Sequence, residues 1–253
     1  MTGQYSYTLR PPDGPILGLV ALQSDQTIES DLRRILPLET EFYVSRVPSG
    51  AEVTSDSLAE MEGHLAHAAS LLPPQVSYDV VGYGCTSGTA QIGVGEIAKQ
   101  VRAGTQAEAV TEPVSALVAA CKILDLSKIA ILSPYVAEVS DNLRRVLADA
   151  GVHTPVFGSF DEAEEARVVR IDSDSIYAAA VDLMQDSGLD GLFLSCTNLR
   201  TLDVIKPLEE VLDVPVLSSN LVMGWHLAAL AGVDIDPGAA DEPWHGRLFE
   251  NAA

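Results

Sequence analysis

Apolar, β-branched runs alternate along the chain with stretches of helical spacing. The runs fall at residues 16–22, 41–47, 78–84, 128–133, 154–157, 191–195 and 214–218. Most are continuous in hydrophobicity, as strands covered by helices on both faces should be. Between them, Asp25-Gln26-Thr27-Ile28-Glu29 and Asp172-Ser173-Asp174-Ser175 read as helix starts, where short polar side chains can cap the orphan amides of a first turn. The second start opens a helix predicted through Met184. Others are predicted over 57–71, 93–102, 114–124, 137–150, 202–212 and 221–231, with Gly151 and Gly188 as stops. Strands alternating with helices from end to end predict an α/β protein built on parallel sheets.

Two of the strand-like runs end alike. Val81-Gly82-Tyr83-Gly84 leads into Cys85-Thr86-Ser87, and Leu192-Phe193-Leu194-Ser195 leads into Cys196-Thr197-Asn198. Each thiol sits where a strand gives way to a polar turn and a helix start, whose amides can lower a cysteine pKa from about 8.5 toward neutral. The echo continues at the spacing of short-loop α/β units, with Thr111-Glu112-Pro113-Val114-Ser115 after the first thiol and Ser218-Ser219-Asn220-Leu221-Val222 after the second. This repeat predicts two halves, placed approximately at 1–112 plus 220–253 and at 113–219. Ligands of open parallel sheets bind beyond the carboxyl ends of the strands. The site is therefore expected between the halves, with Cys85 and Cys196 facing one small substrate. A single buried cysteine is more often a small hydrophobe than a reactive group, but two in equivalent turns point to chemistry.

Composition bounds the partners. Of 253 residues, 47% are apolar and 20% charged, ordinary for a globular protein. The 36 acidic against 15 basic residues give a formal net charge of −21. That balance argues against nucleic acid and anionic membranes as partners and reads as a solvated acidic surface. Runs such as Asp161-Glu162-Ala163-Glu164-Glu165 are then mostly surface. No apolar run reaches the roughly 18 residues of a membrane span and no leader is legible, so a cytoplasmic protein is expected.

The remaining chemistry-bearing residues suggest no metal or cofactor. Three cysteines without a CxxC pair or a close Cys/His group give neither a disulfide framework nor structural zinc. Cys121, inside the apolar helical stretch 114–124, is a core filler. His64, His67, His153, His226 and His245 lack metal-ligand spacing. His64 and His67 read as one exposed helix face, His226 as helix packing. Gly82, Gly84 and Gly88 match no phosphate-loop motif. Arg200, the basic residue beside a thiol, either lowers that thiol's pKa or pairs with a surface acid.

Several ordered motifs together carry a resemblance. With Cys85-Thr86-Ser87-Gly88, Ser133-Pro134-Tyr135, Ser195-Cys196-Thr197 followed by Leu202-Asp203, Val214-Pro215-Val216-Leu217-Ser218-Ser219 and Gly246-Arg247-Leu248-Phe249, nearly the whole chain resembles the aspartate/glutamate racemase superfamily. Within it, the likeness is to the maleate isomerase and arylmalonate decarboxylase branch. The resemblance implies two pseudo-symmetric flavodoxin-like halves, each a parallel sheet flanked by helices, that enclose a small carboxylate and assemble as a small homo-oligomer. It implies cysteine chemistry without metal or organic cofactor. Racemases of the superfamily remove an α proton with one thiolate and deliver one from the opposite thiol. Maleate isomerases use the first cysteine as nucleophile on the alkene, and the decarboxylases keep only the second cysteine, as proton donor.

Carried onto this chain, the resemblance assigns Thr86, Ser87 and the amides near Cys85 to a substrate carboxylate. Thr197 and Asn198 in the Cys196 turn would take a second carboxylate or a developing enolate, and Tyr135 would hydrogen-bond the same substrate. Two positions depart from the maleate isomerase pattern: Asp25 and Glu165 stand where neutral asparagines are usual. Such carboxylates would repel a dicarboxylate or welcome a cationic group on the substrate. The reading is a cofactor-independent isomerase, either cis–trans, with Cys85 as nucleophile and Cys196 as acid/base, or a racemase with the thiols on opposite faces. An ectoine-utilization enzyme and a decarboxylase are the enzymatic alternatives, the second disfavoured by the presence of both thiols. The non-enzymatic alternative is a small-carboxylate binding domain.

Overall fold

The computed structural model of the protein describes residues 3–9, 14–185, 187–235 and 237–251. In chain order the first sheet and its helices comprise β1 (Ile16–Leu22), α1 (Ile28–Ile35), β2 (Glu41–Val47), α2 (Ser55–Glu60), α3 (Glu62–Ser70), β3 (Tyr78–Gly84), α4 (Thr86–Ile92), α5 (Val94–Gly104) and β4 (Ala107–Thr111). After α6 (Pro113–Ile123) come β5 (Lys128–Ser133), α7 (Ala137–Asp149), β6 (His153–Ser159), α8 (Glu165–Val168), α9 (Ser173–Met184), β7 (Gly191–Leu194), α10 (Ile205–Leu212) and β8 (Val216–Ser218). The chain continues through α11 (Ser219–Ala231) to α12 (Arg247–Asn251).

Every strand pairing within the sheets is parallel. The sheet orders are β2-β1-β3-β4 and β6-β5-β7-β8, so the two sheets repeat one topology. The expected α/β fold of two like sheets is what the chain adopts. Each thiol follows the third strand of its sheet. Parallel strands buried on both faces need no polar alternation, and Leu17 to Leu22 and Ile129 to Leu132 are buried throughout.

Two features differ from the sequence reading. The helix predicted over 57–71 is two helices, α2 and α3, that meet at Met61, whose sulfur accepts a hydrogen bond from the Tyr83 hydroxyl at 3.8 Å. A capping box between Thr54 and Ser57 starts the first of them. The added strand β4 occupies an edge, where Ala107-Glu108-Ala109-Val110-Thr111 needs no continuous apolar run. At the helix start read from residues 25–29, Asp25 satisfies the first turn of α1, accepting from the Thr27 and Ile28 amides at 2.7 and 2.8 Å.

The helix α11 decides how the halves join. Leu221, Val222, Met223, Trp225 and Leu227 are all buried, the mark of a helix surrounded by protein. It leaves the second sheet at Ser218 yet packs on α1, α6 and β3, so one apolar core runs through both halves.

Helices α3 and α5 approach so closely that only glycine fits between them. A Cβ at Gly104 would lie 2.1 Å from the Ala66 carbonyl oxygen and 2.8 Å from the Ala69 Cβ. Gly104→Ala is expected to lower stability by about 2 kcal/mol or more, since backbone cannot yield as a side-chain tip can. A denaturant midpoint unchanged from the parent would contradict this packing.

Candidate functional site

The first thiol is held by a helix start. Cys85 is the N-cap of α4, with extended backbone, and its Sγ accepts the Gly88 amide at 3.2 Å. A Cβ at residue 88 would stand 2.9 Å from that sulfur and 2.6 Å from the Tyr83 hydroxyl, so the approach depends on glycine. The Thr89 hydroxyl ties the turn by donating to the Cys85 carbonyl at 2.6 Å.

The second thiol is held by a strained turn. Cys196 has φ of +134°, a region unfavourable to any residue with a side chain, and such strain persists only where the surroundings impose it. Its amide donates to Ser219 Oγ at 3.0 Å, its Sγ accepts the Asn198 amide at 3.3 Å, and the Tyr135 hydroxyl lies 3.0 Å from the sulfur. Ser219 Oγ is also 2.7 Å from Thr86 Oγ1, so one hydroxyl at the start of α11 links both cysteine turns. Asn220 extends the joint, its amide nitrogen donating at 2.8 Å to both the Thr197 carbonyl and Asp31.

Cys85 and Cys196 line one cavity, with Thr86 and Ser87 from the first turn. Tyr135, Glu165, Thr197 and Asn198 complete its polar wall. About 20 Å³ is open to the centre of a water molecule, room for roughly one. Leu22, Val53 and Leu58 form an apolar cover absent from the sequence reading, because nothing in their spacing separates them from core. The cover is pinned across the halves, with the Val53 amide donating to the Ala163 carbonyl at 3.1 Å and the Glu165 amide to the Ala51 carbonyl at 3.2 Å.

The two acidic departures are both buried here. Glu165 is 4% exposed, which corrects its reading as part of a surface run. Its Oε1 accepts from the Tyr135 hydroxyl and its Oε2 from Asn198 Nδ2, each at 2.5 Å. Asp25 stands beside the cavity, outside the residues that line it. One of its oxygens caps α1, and the other is buried without a hydrogen bond of its own. The Thr197 hydroxyl, 3.3 Å from the Gly84 carbonyl, also stands close enough to the Asp25 carboxyl to oppose the effect of its burial.

Burial outweighs the helix-start amides in setting the thiols. It pushes Cys85 up to about 12, against the Gly88 hydrogen bond, with Glu165 and Asp25 adding repulsion. Burial also raises Cys196 well above the ordinary thiol value, reinforced by Glu165 and opposed by Tyr135. Glu165 and Asp25 are themselves raised, burial again being the largest cause. The expected lowering of the thiol pKa is thus reversed in this closed, anionic site.

Other candidates lie elsewhere. Cys121 is core, His64 and His67 are exposed on α3, and His226 packs on Trp225 with Nδ1 2.7 Å from Thr111 Oγ1. Arg200 does neither of the things expected of it, since its Nε donates to the Val169 carbonyl at 3.3 Å. Among the described residues no group of three or more His, Cys, Asp or Glu is gathered as a metal would require. Nor is any helix among them long and apolar enough to cross a membrane.

Two like parallel sheets with a pair of thiols at their joint define a class of α/β proteins, and comparison places the chain within it. A family model described as arylmalonate decarboxylase matches residues 94–249, more than half the chain, and the protein belongs to that family. It is 31% identical to the arylmalonate decarboxylase of Bordetella bronchiseptica over 134 residues, which span 52% of this chain and 53% of that one. It is 25% identical to the maleate isomerase of Nocardia farcinica over 215 residues, 80% of this chain and 84% of the other. The fold also matches a mutant of the N. farcinica maleate cis-trans isomerase with a covalently bound succinylcysteine intermediate. There the TM-score is 0.79 at 23% identity, covering 95% of this chain and all of that one.

The joint behind the site titrates. Burial raises Asp31 from 3.8 to about 6, opposed by the Asn220 hydrogen bond. The folded state therefore holds a proton that the unfolded state has released, and stability falls as pH rises from about 4 through 6. Asp31→Asn keeps an acceptor for Asn220 without the charge. It is expected to stabilise the protein by about 1 to 3 kcal/mol at pH 7, with the gain shrinking toward pH 5. Urea midpoints at the two pH values check this, and a gain that grows on acidification would contradict it.

Proposed function

We propose that this chain is a cofactor-independent isomerase of a small carboxylate, with Cys85 and Cys196 as its reacting groups. The observation that carries the reading is that two free thiols, from equivalent strand ends of two like sheets, meet in one closed cavity. In the cis–trans reaction, the Cys85 thiolate adds to one alkene carbon while Cys196 protonates its neighbour. The new single bond rotates, Cys196 takes the proton back, and the carbon–sulfur bond breaks as the double bond re-forms. Bonds and protons balance with no redox partner. The Thr86 and Ser87 amides open α4, where no upstream helical carbonyl can accept them, and they suit a substrate carboxylate.

Racemisation is the second reading, and Asp25 with Glu165 favours it. A substrate that brings an ammonium group would neutralise this anionic surrounding and lower the thiols toward ionisation. In that case one thiolate removes the α proton and the opposite thiol delivers another. Either route requires the cover formed by Val53 and Leu58 to move, since the closed cavity is smaller than any such carboxylate.

Proton NMR in heavy water with maleate, aspartate, glutamate, a hydantoin, phenylmalonate and ectoine-derived amino acids separates the chemistries. A shifted alkene resonance reports cis–trans isomerisation, loss of the α-proton signal racemisation, and a deuterated monoacid decarboxylation. Cys85→Ser and Cys196→Ser are each expected to reduce turnover by at least about 10³-fold. Full activity in either variant would overturn the two-thiol mechanism. Binding of a carboxylate without any turnover would favour a binding domain instead.

A further inference from the structure

The direction of the hydrogen bonds around Glu165 is fixed from outside the site. Asn198 Oδ1 accepts the Gln26 amide at 2.9 Å, so its amide nitrogen must face Glu165, to whose Oε2 it donates at 2.5 Å. Glu165 Oε2 is therefore an acceptor. On the other side, Oε1 takes the one hydroxyl proton of Tyr135, also at 2.5 Å. A phenol has no second proton. While Glu165 is ionised that proton is committed to it, the oxygen 3.0 Å from Cys196 Sγ presents a lone pair, and the sulfur supplies the proton of this contact; Tyr135 lowers the Cys196 pKa only when it turns to donate to the sulfur instead. The chain thus runs from Cys196 S–H to Tyr135 O–H to the Glu165 carboxylate.

Cys85 has no such chain. Its sulfur accepts the Gly88 amide, and its pKa is lowered by a hydrogen bond from the Tyr83 hydroxyl, whose other contact is the Met61 sulfur at 3.8 Å and not a carboxylate. The titratable groups facing Cys196 are Tyr135 beyond β5, Glu165 at the start of α8, Asp25 beyond β1 and Cys85 across the cavity. Among the described residues no lysine, arginine or histidine lines the cavity.

We propose that Glu165 is a positioning residue that acts through Tyr135 to keep Cys196 protonated, making Cys196 the proton donor and leaving Cys85 as the thiol that ionises. This rests on the two-thiol reading of the site, which already makes Cys196 the acid, and adds the residue that holds its proton in place. When Cys196 passes its proton to substrate carbon, the Tyr135 hydroxyl swings its own proton from Glu165 to the new thiolate. Glu165 is then left with the Asn198 donor. The return of the proton to sulfur restores the chain, and nothing is oxidised or reduced.

Glu165→Gln reverses the chain. Asn198 still needs an oxygen, so the new amide nitrogen faces Tyr135, which accepts from it and points its proton at Cys196. The test is thiolate absorbance at 240 nm without substrate, read as the difference between Cys85→Ser and Cys85→Ser/Cys196→Ser proteins. In the parent background the Cys196 thiolate is expected only well above the ordinary thiol range, because burial and Glu165 hold it up, whereas E165Q brings its midpoint down measurably. Glu165→Asp retains the charge but draws it back from Tyr135, and it is also expected to lower the midpoint. In a Tyr135→Phe background, E165Q should move the midpoint far less. An unmoved or raised midpoint in E165Q overturns the proposal, as does an equal fall with and without Tyr135, which would reduce Glu165 to a bare charge. Should E165Q fail to fold, an unmoved midpoint in E165D overturns it alone. The titration involves no substrate, so it can fail while the turnover assay succeeds.

Discussion

The cost of placing charge where water is excluded governs this molecule. One carboxyl group and two thiols share a closed space, with the buried Asp25 carboxyl beside it, and among the described residues its lining contains no basic side chain. In so dry a setting each ionisation raises the difficulty of the next, and hydrogen-bond donors must do what solvent would otherwise do. The donors present are specific: Asn198 and Tyr135 for Glu165, two backbone amides for Asp25, and one amide for each sulfur. An additional positive charge entering with a ligand would change the protonation of the whole set together.

Those donors stay in place because of the joint beneath them. Ser219 and Asn220, both fully buried, span from the Cys85 turn to the Cys196 turn and on to α1. Buried polar groups are tolerated only when paired, and paired groups fix geometry in a way apolar contacts do not. The positive φ at Cys196 belongs to the same arrangement, since the surrounding hydrogen bonds hold a backbone that would relax in isolation. The two halves therefore cannot slide past one another without breaking several buried bonds.

Much of this was legible in the chain, and the gaps have physical reasons. Apolar runs located seven of the eight strands, the half-exposed edges β2 and β6 among them, while Ala107-Glu108-Ala109-Val110-Thr111 of β4, with two alanines and a glutamate, leaves a weak signal. The paired Cys-Thr turns indicated that the thiols would meet, and Tyr135 and Glu165, named from the resemblance as site positions, line the same cavity. Local sequence could not reveal the raised thiols, because amides are encoded next door while burial is supplied by Leu22, Val53 and Leu58 from afar. It also placed Glu165 among surface acids, since a run of carboxylates does not disclose which member turns inward.

The path of α11 bears on how the protein can be made. Residues 219–231 leave the second sheet only to bury themselves against α1, α6 and β3 of the first. During synthesis the amino-terminal sheet must therefore wait, with part of its apolar surface uncovered, until most of the chain has emerged. The Cys85 pocket is completed only when Ser219 arrives, so a reactive-looking strand end acquires its environment last. Here the order of translation and the order of assembly run in opposite directions.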